Sequence, residues 1–425
     1  MANGEIVVGL DIGTTKVCVI ITRRNENDIL EIIGVGVRPS TGMRKGVVNN
    51  IEATIKAITD AIEDAEKMCG WQVHACWIGI GGSHIEGINS RGVVAIAGRK
   101  HGSREICKDD IIRVVDAARA VVIPLDRQIV QTIPQSYIVD DHRDIKNPLG
   151  MIGVRLETEI HIITCSATSA ENLRRCVNRA GFKANSSLLL LQVLAAGQSV
   201  LTPDEKDLGV ALIDIGGGTT DVMVYCEGAP YSTFSIPLGG VEVTRDISTV
   251  NGISIEVAEK IKQEEASCWK PLLEDDNDII VQRMPGQSPL RIPCVHLYNI
   301  VKTRMEEIFE LVKQKLDCIS LPRPLSGGIV ITGGGAMLAG TIELASSVFK
   351  TAVRLGTPIR FEKLGGLIDE YRDPCYATAI GLVLEGVKQE NIETPEQKTE
   401  YPVGQERRKK GTALSWFIGR LKDIF

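Results

Sequence analysis

Two carboxylates, each followed by a glycine turn, head the residues of this sequence that could do chemistry. Asp11 stands in "VVGLDIGTTKVCVII" at 7–21, and Asp214 stands in "GVALIDIGGGTTDVMVYC" at 209–226. Glycines let phosphate oxygens approach backbone N–H groups with no Cβ in the way, and a Thr hydroxyl or a Lys ammonium adds direct donors. The stretch "DIGTTK" supplies all three. Were the two turns to face each other, Asp11 and Asp214 would converge on one point between them. Magnesium bridging nucleotide phosphates is the natural occupant of such a point, held typically through water. Taken singly, each turn reads equally well as a hairpin between strands, and each Asp as a turn initiator bonded to its own backbone. Two copies sharing Asp-Ile-Gly and a Thr-Thr pair favour the phosphate reading.

The elements around these turns are strands. Both copies read as strand, turn, strand, which is not the strand-glycine-helix geometry of Rossmann or Walker A loops. A third glycine turn, in "GGIVITGGGAMLAGTIELASSVF" at 327–349, leads instead into a helix. Short β-branched runs alternate with stretches of helical apolar spacing such as "NIEATIKAITDAIEDAEKM", an α/β pattern. The internal repeat predicts two related lobes, each lending one glycine turn to a shared cleft. A chain of 425 residues is long enough to core both.

Composition narrows the function classes. A net charge of −6 argues against nucleic acid as the main partner, because binding to a phosphate backbone relies on clustered Lys and Arg. Eleven cysteines, from Cys18 to Cys375, include no CxxC pair and no His/Cys spacing suited to zinc, and read as reduced thiols of a cytoplasmic protein. The N-terminus carries no basic-then-apolar leader, and no apolar run approaches the roughly 20 residues of a spanning helix. Neither secretion nor membrane integration is expected.

After Lys388 the pattern gives way to a polar stretch with Pro395 and Pro402, read as a flexible linker. It ends in the basic run Arg407, Arg408, Lys409 and Lys410. The chain then finishes on "SWFIGRLKDIF". On a helical wheel Leu414, Phe417, Ile418, Leu421, Ile424 and Phe425 share one face, with Ser415, Gly419 and Asp423 opposite. Arg420 and Lys422 flank the stripe, where their stems can reach toward lipid headgroups. This is the pattern of an interfacial anchor on an anionic membrane surface. The alternative is a terminal helix docked on its own domain.

In this order, "GLDIGTTKV", "LIDIGGGTTDV", "IPLGGVEVTRDI" and "VITGGGAMLAG" resemble the actin, heat-shock chaperone and sugar-kinase ATPase superfamily. With them "LLLLQVLAAGQSVL" and "YATAIGLVLEGV" resemble its two connecting helices, with small residues Ala195, Ala196, Gly197, Ala377, Ala379 and Gly381 at the crossing. The resemblance implies an actin-like two-lobed fold binding ATP and Mg2+. Gly13, Thr14, Thr15 and Lys16 would hold phosphates from one lobe, and Gly216, Gly217, Gly218 and Thr219 from the other. Gly239 and Gly240 would approach ribose and phosphates, Glu259 and Lys262 would flank the nucleoside, and Gly334, Gly335 and Ala336 would underlie the base. Asp11 and Asp214 would hold the magnesium through water. Gln192, and secondarily Asp221, would orient a water, and hydrolysis would be slow or incidental.

Within the superfamily, "WIGIGGSHIEGINSRGVVAI" and "GVRLETEIHIITC" resemble the subdomain inserted in the bacterial FtsA cell-division family. That family implies a division of the chain. Residues 1–82, 164–197 and 360–388 would form the first lobe, with 83–163 inserted. Residues 198–237 and 318–359 would form the second, with 238–317 as its outer part, 389–410 as linker and 411–425 as the membrane helix. The implied partners are the C-terminal peptide of the tubulin-like protein FtsZ, contacted by Arg291, Lys302 and Arg304, further copies of the chain in an actin-like polymer, and later divisome membrane proteins. Gln192 departs from the Glu common at that place in the family, so no base is expected there. The nearest rival is a PilM-like scaffold of pilus assembly, and a more distant one is a sugar-kinase-type enzyme.

Overall fold

The computed structural model describes residues 5–27, 29–96, 103–183, 188–272, 278–281, 288–359, 364–392 and 405–406. The basic run Arg407 to Lys410 and the apolar stripe from Leu414 to Phe425 lie outside the described residues.

The first lobe is built on a six-stranded sheet in the order Leu189–Leu191, Trp77–Ile80, Ile6–Ile12, Lys16–Arg24, Leu30–Pro39, Leu364–Gly366. Ile6–Ile12 is buried along its whole length, as an apolar strand covered on both faces must be. Alternate residues serve opposite faces. Val8 and Leu10 join a core with Ala57, Ile58, Ala61 and Ile62 of helix Ile51–Cys69, while Val7 packs with Ala379, Leu382 and Val383 of helix Ala377–Ile392. The first of these helices starts where Asn50 accepts a hydrogen bond from the Ala53 N–H and stops at left-handed Gly70 (φ 78°).

The second lobe repeats the plan. Its five-stranded sheet runs Ala229–Ile236, Thr220–Cys226, Val210–Ile215, Ile329–Thr332, Val353–Leu355. In each lobe the strand bearing the repeated Asp pairs antiparallel with the strand after its turn and parallel with its other neighbour. The third glycine turn is strand Ile329–Thr332, a 3-10 turn at Gly334–Met337 and helix Thr341–Phe349, as its sequence predicts.

Helices Gln192–Val200 and Ala377–Ile392 cross between the lobes. Ser199 Oγ donates to Ala377 O at 2.7 Å, and a Cβ on Gly381 would stand 1.8 Å from Ala195 O. Only glycine permits so close an approach of two backbones. The inserted segment forms a four-stranded sheet in the order His142–Ile145, Arg127–Val139, Arg155–Ser166, Glu86–Ala95, against which helix Lys108–Arg119 packs.

The polar segment expected to be linker from 389 begins as helix, since Ala377–Ile392 runs past Lys388, and Gln405–Glu406 pair with Trp71–Gln72. All eleven cysteines are free thiols. Among the described residues no helix is long and apolar enough to cross a membrane.

Candidate nucleotide-binding cleft

The two repeated turns close in the same way. Gly13 N donates to Lys16 O at 2.9 Å and Gly216 N to Thr219 O at 2.9 Å, which sets Asp11 and Asp214 at equal heights above their turns. The turns face each other. A Cβ on Gly217 would lie 2.5 Å from Thr15 Cγ2 of the opposite lobe, so the bare backbone there lets the two tips meet. Helix Gly240–Asn251 starts directly on the second turn, with Gly240 N donating to Gly216 O (2.9 Å) and Val241 N to Gly217 O (2.8 Å).

Behind the tips lies an inner chamber of about 140 Å3, lined by Asp11, Gly13, Thr14, Thr15, Lys16, Gln192, Asp214, Gly216, Gly217, Gly218, Thr219 and Asp221. Apart from Gly239 and Gly240, every residue expected on the phosphates, the metal or the water is therefore at one place. An outer chamber of about 410 Å3 adjoins it and is lined by Gly240, Glu259, Lys262, Gly334 and Gly335 among others. Gly239 stands behind the second turn and Ala336, 4% exposed, behind the wall, so neither lines a chamber.

The electrostatics of the inner chamber are those of crowded carboxylates. Burial, then Asp221 and Asp11, push Asp214 up to about 7, against the opposing pull of the Thr378 hydroxyl (3.1 Å) and Lys16. Burial also raises Asp11, with Lys16 and the Gln192 amide, 2.8 Å away, acting the other way. Asp221 is raised by burial and eased by the Ser235 and Thr219 hydroxyls. A cation among these groups would relieve all three. Among the described residues no compact group of three or more His, Cys, Asp and Glu side chains forms a ready metal cage. The donor set fits a cation that keeps water and ligand oxygens around it.

This makes a pH prediction for the ligand-free protein. Folded Asp214 holds its proton to about pH 7, whereas an unfolded Asp releases it near pH 3.8. The resulting stabilisation is full below the lower value and lost as pH rises through the upper one. Melting temperature should therefore decline from about pH 5 to pH 8, and Asp214→Asn should flatten that decline. An unchanged slope in the variant would refute the assignment.

In the outer chamber, Lys262 Nζ pairs with Glu259 at 2.7 Å and donates to Thr244 Oγ1 (2.9 Å) and Gly240 O (3.2 Å). Burial works against the Glu259 charge, but the Lys262 and Thr244 hydrogen bonds prevail and hold it below the usual carboxylate range. Val241, Val243, Met305, Met337 and Leu338 supply apolar walls suited to the faces of a planar ring. None of these was singled out in the sequence, nor were Cys375 and Thr378. Cys375 O accepts a hydrogen bond from Lys16 Nζ, whose charge also lies 4.6 Å from the centre of the Tyr376 ring. "DPCYATAIGL" places Cys375 and Thr378 at the start of a connecting helix, which was the available signal.

The cations expected on a partner peptide differ in their freedom. Arg304 is tied to Asp246 at 2.6 and 3.1 Å and to Glu307, and Lys302 to Glu306 at 2.9 Å. Arg291 is exposed and has no carboxylate partner among the described residues. A surface charge and a helix-pairing charge look alike in sequence.

Residues 211–381 match the family model for cell division protein FtsA, and residues 82–164 match that of the SHS2 domain inserted in FtsA. The chain is 40% identical over 415 residues to the cell division protein FtsA of Borreliella burgdorferi, covering 97% of this chain and 98% of that one. The chain belongs to the FtsA family of cell-division proteins. The FtsA of Pseudomonas aeruginosa is 40% identical over 389 residues, covering 92% and 91% of the two chains, and that of Escherichia coli K12 is 36% identical over 389. The resemblance drawn from the motifs is thus borne out.

Solved structures agree on the architecture beyond the FtsA family. A PilM-PilN type IV pilus biogenesis complex matches with a TM-score of 0.61 at 15% identity, covering 90% of this chain and 98% of that one. Spiroplasma citri MreB5 bound to ADP matches at 0.55 and 16%, covering 92% and 99%. At such identities the likeness is one of fold alone, the actin-like two-lobed fold, and the FtsA-type insertion is shown by the family match at 82–164.

Proposed function

We propose that this protein binds Mg2+-ATP in the cleft and tethers FtsZ filaments to the inner face of the cytoplasmic membrane at the division septum. The observation that carries the nucleotide reading is the pair of opposed glycine turns. They enclose Lys16 and three carboxylates in a chamber of phosphate size, joined to an apolar chamber of nucleoside size. MreB5, of the same fold, has been solved with ADP and with AMPPNP. Bound magnesium would offset the charge of Asp11 and Asp214. Lys16 and the turn N–H groups would hold phosphates, and closure of the lobes on ATP would govern contacts between copies in a polymer. Gln192, an amide that takes no proton, and Asp221 would orient water in a slow hydrolysis at most. The lobe at 238–317, with exposed Arg291, would receive the acidic C-terminal peptide of FtsZ, and the assembled polymer would recruit later divisome membrane proteins.

The tether rests on the tail. Six stripe residues would contribute roughly 9 to 18 kcal/mol if fully buried in lipid, and each basic residue near an anionic leaflet about 1 kcal/mol. Folding some fifteen residues into a helix costs a comparable amount, roughly 1 kcal/mol or more apiece. One tail binds weakly, and several linked in a polymer bind by avidity. The test is co-sedimentation with anionic liposomes and ATP, comparing the full chain, a chain ending at Lys410, and Phe417→Glu. The full chain should pellet and both variants stay in the supernatant, and adding FtsZ C-terminal peptide to the pelleting protein should co-sediment the peptide. If all three stay soluble while ATP binding is intact, the tail docks on its own domain and the tether reading fails.

A further inference from the structure

The inserted domain does more than project from the first lobe, because its sheet closes on the second. The strand it meets is Ala229–Ile236, the edge of the five-stranded sheet. His161, on the inserted strand Arg155–Ser166 and 1% exposed, sits at the centre of this contact. Its Nε2 lies 2.9 Å from Thr233 Oγ1 and its Nδ1 2.6 Å from Asn89 Oδ1. Asn89 Nδ2 donates to Tyr231 O at 2.9 Å, so its oxygen is what faces the imidazole. His161 therefore carries its proton on Nδ1 and accepts the Thr233 hydroxyl at Nε2. Burial pushes His161 down to about 4, so the ring stays neutral and this arrangement is fixed. Gln135 Nε2 donates to Pro230 O at 2.8 Å, and Lys146 Nζ to Glu227 O.

The gripped strand stands one strand behind the cleft wall. Its ladder partner Thr220–Cys226 sets Ser235 opposite Asp221, and Thr233 lies two residues from Ser235 on the same face. At its other end the strand runs from Ile236 into Gly239 and Gly240, which rest on the carbonyls of the second turn. The lobes are closed tip to tip in the same arrangement in which these cross-lobe bonds are made. Moving the second lobe away from the first would break the bonds or drag the inserted domain with it.

We propose that His161 and Thr233 are positioning residues of a latch. Docking of the inserted domain on strand Ala229–Ile236 and nucleotide in the cleft stabilise the same closed arrangement, so each strengthens the other. The inference rests on the nucleotide reading of the cleft and adds a second element that controls it. Neither residue touches the ligand chambers, and the two act through the strand.

The test uses the full chain with Mg2+-ATP and Mg2+-ADP. Thr233→Val keeps the side-chain shape and strands the buried Nε2, Thr233→Ser restores the hydroxyl, and Asn89→Ala cuts the exposed rim. Thr233→Val and Asn89→Ala should each weaken nucleotide binding about tenfold, within the usual span of coupling between sites, and Thr233→Ser should bind like the wild type. By reciprocity, saturating nucleotide should slow amide hydrogen exchange in 229–236 and in 155–166 of the wild type, and lose that effect in Asn89→Ala. Wild-type affinity in both weakened variants, or exchange unmoved by nucleotide in a wild type that binds it, would overturn the latch. A wild type that binds neither nucleotide would instead overturn the nucleotide reading itself, and the latch with it.

Discussion

Lys16→Ala should lower nucleotide affinity about a hundredfold and leave the fold intact. Lys16 is the one lysine or arginine lining the inner chamber among the described residues, and its ammonium is set in place by Cys375 O and the Tyr376 ring. Hydrogen bonds between charged groups contribute about 1.5 to 3 kcal/mol each. Loss of one or two such bonds to phosphate amounts to roughly 3 kcal/mol, which is about two decades in the dissociation constant. Lys16→Arg should rescue only in part, because a planar guanidinium does not reproduce the compact ammonium that Cys375 O and the Tyr376 ring hold. Calorimetric titration with ATP and Mg2+ reads the result. An affinity within threefold of wild type would mean that Lys16 serves the Cys375 carbonyl and not a phosphate.

The largest effect on stability is expected at the helix crossing. A Cβ at position 381 would lie 1.8 Å from Ala195 O, so Gly381→Ala forces helices Gln192–Val200 and Ala377–Ile392 apart by about 1.5 Å to regain ordinary contact. That separation opens a core closed by Ala195, Ala379 and Leu382, all fully buried, and it strains the Ser199 to Ala377 hydrogen bond. Cost should be about 3 kcal/mol or more, seen as a melting temperature lowered by roughly four degrees or more, or as loss of soluble protein. A variant melting within two degrees or so of wild type would show that the crossing yields more easily than its geometry implies.

What could be read from the sequence follows a physical rule. The two Asp-Ile-Gly turns were legible because a turn and its flanking strands are one local unit, and repetition at 7–21 and 209–226 tied the two units to each other. The crossing of the connecting helices was legible only through the superfamily resemblance of their two segments, because small residues by themselves read equally well as ordinary buried positions. The roles of Cys375, Thr378 and His161 were not legible, because each depends on a contact between residues 72 to 359 positions apart. Arg304 was read as a peptide contact because nothing in its own helix reveals Asp246, 58 positions earlier, as its partner. The apolar wall of the outer chamber was not legible for a different reason. Met305 and Val243 look like core residues, and they are core residues on their other side.

The equal registers of the two turns have a consequence for how the cleft tells one end of its ligand from the other. Overlaying one hairpin on the other sets Asp11 on Asp214 and Gly13 on Gly216. The overlay departs at Thr14 and Thr15, which fall on Gly217 and Gly218, at Val17, which falls on Thr220, and at two further positions that change the charge. Lys16 corresponds to Thr219, and Cys18, whose thiol burial pushes up to about 12, corresponds to Asp221. One half thus offers a cation beside a neutral thiol, and the other offers a hydroxyl beside a second acid. A cleft with matching halves would accept a phosphate chain in either direction. The last two exchanges make the two sides of the chamber electrically unequal, so a phosphate chain bound there would be favoured in one direction.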